Sequence, residues 1–159
     1  MTSRQQANEG TTAVRPGLEI DEAKLAAYME AKIPDFSGPL KIEQFKGGQS
    51  NPTYKLTTPD RTYVLRRKPP WKLLKSAHAV DREFRVISAL HKAGIPVAEP
   101  HVLEEDDSII GTAFYIMAFV AGRVFWEPNL PGMEPAERAA IYDAMNDTIA
   151  RLHQVDYEA

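Results

Sequence analysis

The chain has no cysteine. Disulfides, thiolate metal sites and thiol nucleophiles are therefore excluded, and the composition suits a reducing compartment. It also lacks any apolar run near the ~20 residues that cross a bilayer, so no membrane-spanning helix is expected. Neither sign of charge dominates: 19 Lys+Arg against 22 Asp+Glu leave a net charge of −3, which argues against nucleic acid as a partner. Met1–Thr12 is polar and has no apolar signal-peptide core, so a cytoplasmic location is expected. Internal repeats and low-complexity tracts are absent as well. What is present, 43% hydrophobic and 26% charged over 159 residues, supports one hydrophobic core and is too short for two full domains.

Residues 1–15 are polar and aperiodic and are expected to form a disordered tail. Asp21 is placed to cap a short helix whose Leu25, Tyr28 and Met29 share one face before Pro34. The period then changes to two. Strands are expected over residues 40–45, 53–57 and 61–67, separated by Gly47-Gly48-Gln49-Ser50-Asn51-Pro52 and by a Pro59-Asp60 turn. Such short connections favour an antiparallel meander. A helix follows over about residues 78–93, with Gly94 and Pro96 as its stop. Two more strands, 101–104 and 112–120, flank a polar hairpin at Glu105-Asp106-Asp107-Ser108, and a last helix runs over about 134–153.

Some residues break their local pattern. In the middle helix, Val80, Phe84, Ile87 and Leu90 form an apolar stripe with Asp81, Arg82, Arg85 and Lys92 opposite, and Glu83 falls inside the stripe. A carboxylate turned toward a core is costly unless a cation meets it. Alternation places Thr62, Val64 and Arg66 on one strand face, so Arg66 is a candidate partner; the alternative is a Glu at the stripe's edge reaching water. The glycine segment joins two strands rather than a strand and a helix. That argues against a Walker-type or dinucleotide loop. It fits a turn folded over a nucleotide's phosphates, with Ser50 and Asn51 adding side-chain donors, or else an ordinary hairpin with Gly at positive φ. Tyr115 to Gly122 reads as a buried apolar strand. The adjacent acids Asp106 and Asp107 read as a solvated turn.

Three segments occur together in an order and spacing that resembles the aminoglycoside phosphotransferase-like proteins: Gly47-Gly48-Gln49-Ser50-Asn51-Pro52-Thr53-Tyr54, Tyr63-Val64-Leu65-Arg66-Arg67-Lys68-Pro69-Pro70, and Leu73-Leu74-Lys75-Ser76-Ala77-His78-Ala79-Val80-Asp81-Arg82-Glu83-Phe84. They are most similar to the branch whose kinase-like domain is fused to acyl-CoA dehydrogenases in some animals. The resemblance covers residue 20 or so onward.

It implies an α+β fold: a protein-kinase-like N-lobe of five antiparallel strands plus a helix C, with hinge and first C-lobe helix. Residues 16–120 would form the N-lobe and hinge, and 121–159 the start of a truncated C-lobe. Arg66 would stand where kinases carry the strand-three Lys, with Glu83 as its helix-C partner and Gly47, Gly48, Gln49, Ser50 and Asn51 as the phosphate-covering loop. Val64 joins the nucleotide-binding set, Met117 would be the gatekeeper, and the Ala118 C=O and Val120 N–H would meet adenine. Arg at 66 and Ala at 118 depart from the usual Lys and Glu. The cofactors implied are ATP and Mg²⁺, and the partner a small-molecule hydroxyl acceptor, a hydroxyacyl-CoA first among the candidates.

The family's H-G-D-x-x-x-x-N loop and I/L-D-W-E-type segment are missing from this sequence. None of His78, His91, His101 and His153 begins His-Gly-Asp, and no Asp has an Asn five residues on. The expectation is therefore a nucleotide-binding part of a phosphotransferase without catalytic or metal-ligating residues of its own. The alternative is a non-catalytic nucleotide- or partner-binding module. The basic run Arg66, Arg67, Lys68, Lys72 and Lys75 is either a solvated loop or a grip on a phosphate-bearing substrate. In the last helix, Ile141, Met145, Ile149 and Leu152 form an apolar stripe that nothing later in the sequence covers, which fits a truncated chain better than a finished module, with self-association as the alternative.

Overall fold

The computed structural model describes residues 8–47, 50–71 and 78–157. In chain order its elements are β1 (Thr11–Thr12), α1 (Glu22–Lys32), β2 (Lys41–Phe45), β3 (Thr53–Thr57), β4 (Thr62–Arg67), α2 (Val80–Lys92), β5 (Pro100–Glu104), β6 (Phe114–Ala118) and α3 (Pro135–His153). The strands form one antiparallel sheet in the order β1-β2-β3-β4-β6-β5. This is the α+β fold of a protein-kinase-like N-lobe, with six strands where five are expected.

The sixth strand corrects the expected tail. Thr11 and Thr12 pair with Phe45 and Gln44 on the outer edge of β2. An edge strand offers unpaired N–H and C=O groups, and here polar side chains fasten the segment that takes them up. The Thr11 hydroxyl donates to Glu43 at 3.1 Å, and the Arg15 N–H donates to the Gln44 side chain at 3.0 Å. Neither contact leaves a periodic signature in residues 8–15.

The pleat sorts the side chains into two layers. On one side, Tyr54, Leu56, Tyr63, Leu65, Phe114 and Ile116 form a core with Leu25, Tyr28 and Met29 of α1. Asp21 starts that helix, its carboxylate accepting from the Lys24 N–H at 3.0 Å. Burying each such apolar side chain contributes about 1.5–3 kcal/mol. On the other side, Val80, Ala113 and Tyr115 form a smaller core, against which Phe84, Ile87, Leu103 and Met117 pack. α2 thus lies on the face that also carries Val64 and Arg66. Gly94, at φ 72°, ends α2 in the left-handed conformation that glycine adopts without strain.

α3 buries no residue among those described, and Met145 and Ile149 are 52% and 49% exposed. The hairpin acid Asp106 accepts from the N–H and the hydroxyl of Ser108, which hold its carboxyl below the ordinary range.

Candidate functional site

Strand register brings the polar residues of the second face together. Arg66 on β4 stands between Thr53 on β3 and Tyr115 on β6. Across from them, α2 presents Glu83, one turn in from its start. Arg66 Nε donates to Glu83 Oε2 at 2.7 Å, with a longer contact from its Nη2 to Oε1 at 3.4 Å. The Tyr115 hydroxyl donates to Oε2 at 3.2 Å, and the Asn51 amide donates to Oε1 at 3.2 Å. Arg66 also donates to the Thr53 hydroxyl at 3.3 Å, which in turn donates to the Asn51 carbonyl at 3.1 Å. His78 closes the group, its Nδ1 lying 2.7 Å from Asn51 Oδ1. Burial and the negative charge of Glu83 both push the Tyr115 phenol above its ordinary value, so it stays a donor.

This cluster divides a cleft in two. On the α2 side is a cavity of about 850 Å³ bordered by Ser50, Asn51, His78, Arg82, Glu83 and Val86. On the other side is one of about 610 Å³ bordered by Phe45, Gly47, Val64, Phe119, Val120 and Trp126. Thr53, Arg66 and Met117 face both. Each volume is in the range that holds a small ligand. The second cavity has an aromatic rim: Phe45 stacks on Phe119 at 6.4 Å, and the Lys55 ammonium sits 5.3 Å from the Phe119 ring.

Val64, Ala118 and Val120 therefore border the second cavity with Gly47, Glu83 borders the first with Ser50 and Asn51, and Arg66 and Met117 border both. Gly48 and Gln49 lie outside the described residues, as do Lys72 and Lys75. At the chain segment after β6, the Ala118 N–H donates to the Glu99 carbonyl at 2.8 Å and the Phe119 N–H to the Thr62 carbonyl at 3.2 Å. Val120 is 68% exposed at the cleft's mouth.

Two expectations change, those for Asn51 and Arg67. Asn51 is 3% exposed and both ends of its amide are bonded within the protein, so it tethers the glycine loop instead of offering its side chain to a ligand. Gly47 is not at positive φ. A Cβ there would lie 3.1 Å from the Trp126 ring and 3.4 Å from the Asn8 carbonyl, so a side chain would press on that ring. Arg67 is no part of a solvated basic run: it is 3% exposed on the α1 side, its Nε donating to the Thr112 hydroxyl at 2.9 Å. Arg82, placed opposite the apolar stripe by helical spacing, borders the larger cavity.

Thr53, Tyr115, His78, Phe45 and Trp126 are site residues that sequence reasoning missed. The first two were accessible in principle, because pairing register puts them on either side of Arg66. His78 lies in a quoted segment but was given no role, and Phe45 and Trp126 had no signal. Among the described residues no three His, Asp or Glu side chains come together as a metal-ligand set.

Comparison with known proteins adds to this geometry. Residues 41–159 match the family described as "Phosphotransferase enzyme family". The chain is 47% identical over 150 residues to acyl-CoA dehydrogenase family member 10 of Mus musculus, covering 94% of this chain and 14% of that protein. It is 43% identical over 150 residues to family member 11 of Homo sapiens, covering 92% of this chain and 19% of that one. A crystal structure from Ralstonia eutropha JMP134, provisionally assigned as an aminoglycoside phosphotransferase, superposes with a TM-score of 0.76 at 54% identity. The match covers 88% of this chain and 40% of that one. The chain thus spans a minor part of each of these proteins' lengths.

Proposed function

Because the chain belongs to the phosphotransferase enzyme family, we propose that its cleft binds ATP, as the nucleotide-binding part of a phosphotransferase acting on a small-molecule hydroxyl. The observation that carries this reading is the Arg66–Glu83 ion pair standing between the two cavities, 2.7 Å long, its carboxylate met by two further donors from Asn51 and Tyr115. A guanidinium so held has its position fixed before any ligand arrives. It is therefore preorganised to meet phosphate oxygens without paying for its own ordering.

The assignment of parts follows from chemistry. The adenine would enter the smaller cavity, against Val64, Met117 and the aromatic rim, with Ala118 and Val120 offering main-chain groups. The phosphates would run beneath Gly47 toward Arg66, because a glycine lets main-chain N–H groups approach closely. Glu83 does not touch the nucleotide; it aims Arg66. When bound, ATP would supply the γ-phosphoryl group to the acceptor oxygen, with ADP as the leaving group, and the acceptor's proton would pass to a carboxylate of the H-G-D type, which this sequence does not contain. Mg²⁺ would neutralise the phosphate charge, held by residues other than those described here. The relatives named as acyl-CoA dehydrogenases make a hydroxyacyl-CoA the first acceptor to try.

The test is titration of the 159-residue chain with a fluorescent ATP analogue, followed by an assay of phosphoryl transfer. Saturable, weak binding that falls about tenfold in Arg66→Ala, with no turnover, is the expected result. Absence of saturable binding at millimolar nucleotide would remove the reading, and robust turnover would contradict the assignment of catalysis to other residues.

A further inference from the structure

Hydrogen-bond direction around Glu83 determines more than the ion pair. An ionised carboxylate only accepts, so every polar atom facing it must be a donor. Asn51 therefore turns its Nδ2 to Glu83, 3.2 Å away. Its Oδ1 is then the atom 2.7 Å from His78 Nδ1, and an amide oxygen has only lone pairs to offer. His78 must accordingly carry its proton on Nδ1 and act there as the donor.

We infer that His78 is a positioning residue for the nucleotide cleft: as an Nδ1–H donor it fixes the rotamer of Asn51, which pins the end of the glycine loop to Glu83. The inference rests on the nucleotide reading above. The chain of donors runs one way, from His78 to Asn51 to Glu83, and Arg66 meets the same carboxylate from the other side. If His78 released Asn51, the buried amide would lose its orienting partner and the loop one of its ties to α2. The backbone supports a dedicated role. His78 sits at φ 61°, a left-handed conformation uncommon outside glycine and kept where surrounding structure enforces it.

That conformation also supplies a clean pair of variants. Asn and Asp both tolerate positive φ and are close in size, but they differ at the atom that matters. His78→Asn places an N–H₂ where Nδ1 was. His78→Asp places a carboxylate oxygen against Asn51 Oδ1. Titration with the same fluorescent ATP analogue should give affinity within about twofold of the unaltered chain for His78→Asn and at least about tenfold weaker for His78→Asp. Equal affinities for the two variants would overturn the inference, as would equal losses.

A second measurement does not depend on nucleotide. A long-range ¹H–¹⁵N spectrum of the unaltered chain should show neutral His78 in the Nδ1–H tautomer; the Nε2–H tautomer would overturn the inference even where ATP binds. If the unaltered chain binds no nucleotide, the proposed function fails and the tautomer alone decides whether the His78–Asn51 tether exists.

Discussion

Arg66 and Arg67 carry the same guanidinium one residue apart on β4, and the pleat sends them to opposite faces of the sheet. Arg66 faces the cleft, is 29% exposed at its side chain and is met by the carboxylate of Glu83. Arg67 is buried on the α1 side, where Thr112 and the Tyr54 phenol are its polar neighbours. Burial pushes the Tyr54 phenol upward, and the charge and hydrogen bond of Arg67 partly offset that. The Tyr54 hydroxyl passes the connection on, donating to the Leu18 carbonyl at 2.8 Å. One arginine is thus held at the wall of the cleft, whereas the other is part of what holds the fold.

The contrast can be broken by substitution. Arg67→Ala should cost about 2–4 kcal/mol, because it opens a cavity and removes the donor shared by Thr112 and Tyr54. Arg66→Ala should cost about 1 kcal/mol or less, since its pair is partly exposed to water. Urea midpoints for the two variants measure both, and equal losses would end the distinction. The next effect is coupling. Arg66→Ala and Glu83→Ala should be non-additive in stability by about 1 kcal/mol, whereas Arg67→Ala and Glu83→Ala should add. Strict additivity of the first pair would mean the ion pair contributes nothing in solution.

The smallest effect concerns a titratable group on the α1 side of the sheet. His101 packs edge-on against Tyr63 at 5.4 Å. Burial lowers its pKa from 6.5, the Arg61 charge lowers it further, and Glu99 opposes both. The unfolded chain therefore binds a proton more readily than the folded one. This group's contribution to stability is full above about pH 6.5 and is lost as the pH falls below it. A melting curve followed from pH 7.5 to 5 should decline, and His101→Phe should flatten the decline; an unchanged slope in that variant would assign the loss elsewhere.

Legibility from sequence divided along a physical line. α1, β2, β3, β4 and α2 could be placed because each carries its own period and stop signals, such as Asp21, Pro34 and Gly94. The Arg66–Glu83 pair was accessible because Glu83 violates the period of its own helix. β1 was not, because two threonines have no period, and side chains thirty residues away hold them to the sheet. Asn51 was assigned to a ligand since its amide offers the same donor to a phosphate or to a carboxylate. Only the position of Glu83 in space decides between them. Trp126 was invisible for a related reason: its effect is felt at Gly47, seventy-nine residues earlier in the chain.

The two outer strands of the sheet have a bearing on how the molecule meets others. β1 is two residues long, and β5 at the opposite margin begins with Pro100, which has no N–H, and slips its pairing between Pro100 and Val102. A margin that is short on one side and irregular on the other is a poor template for adding a foreign strand. Fibril-like growth through main-chain pairing is disfavoured at both ends. The helices differ from these margins, since α3 keeps apolar side chains such as Met145 and Ile149 exposed.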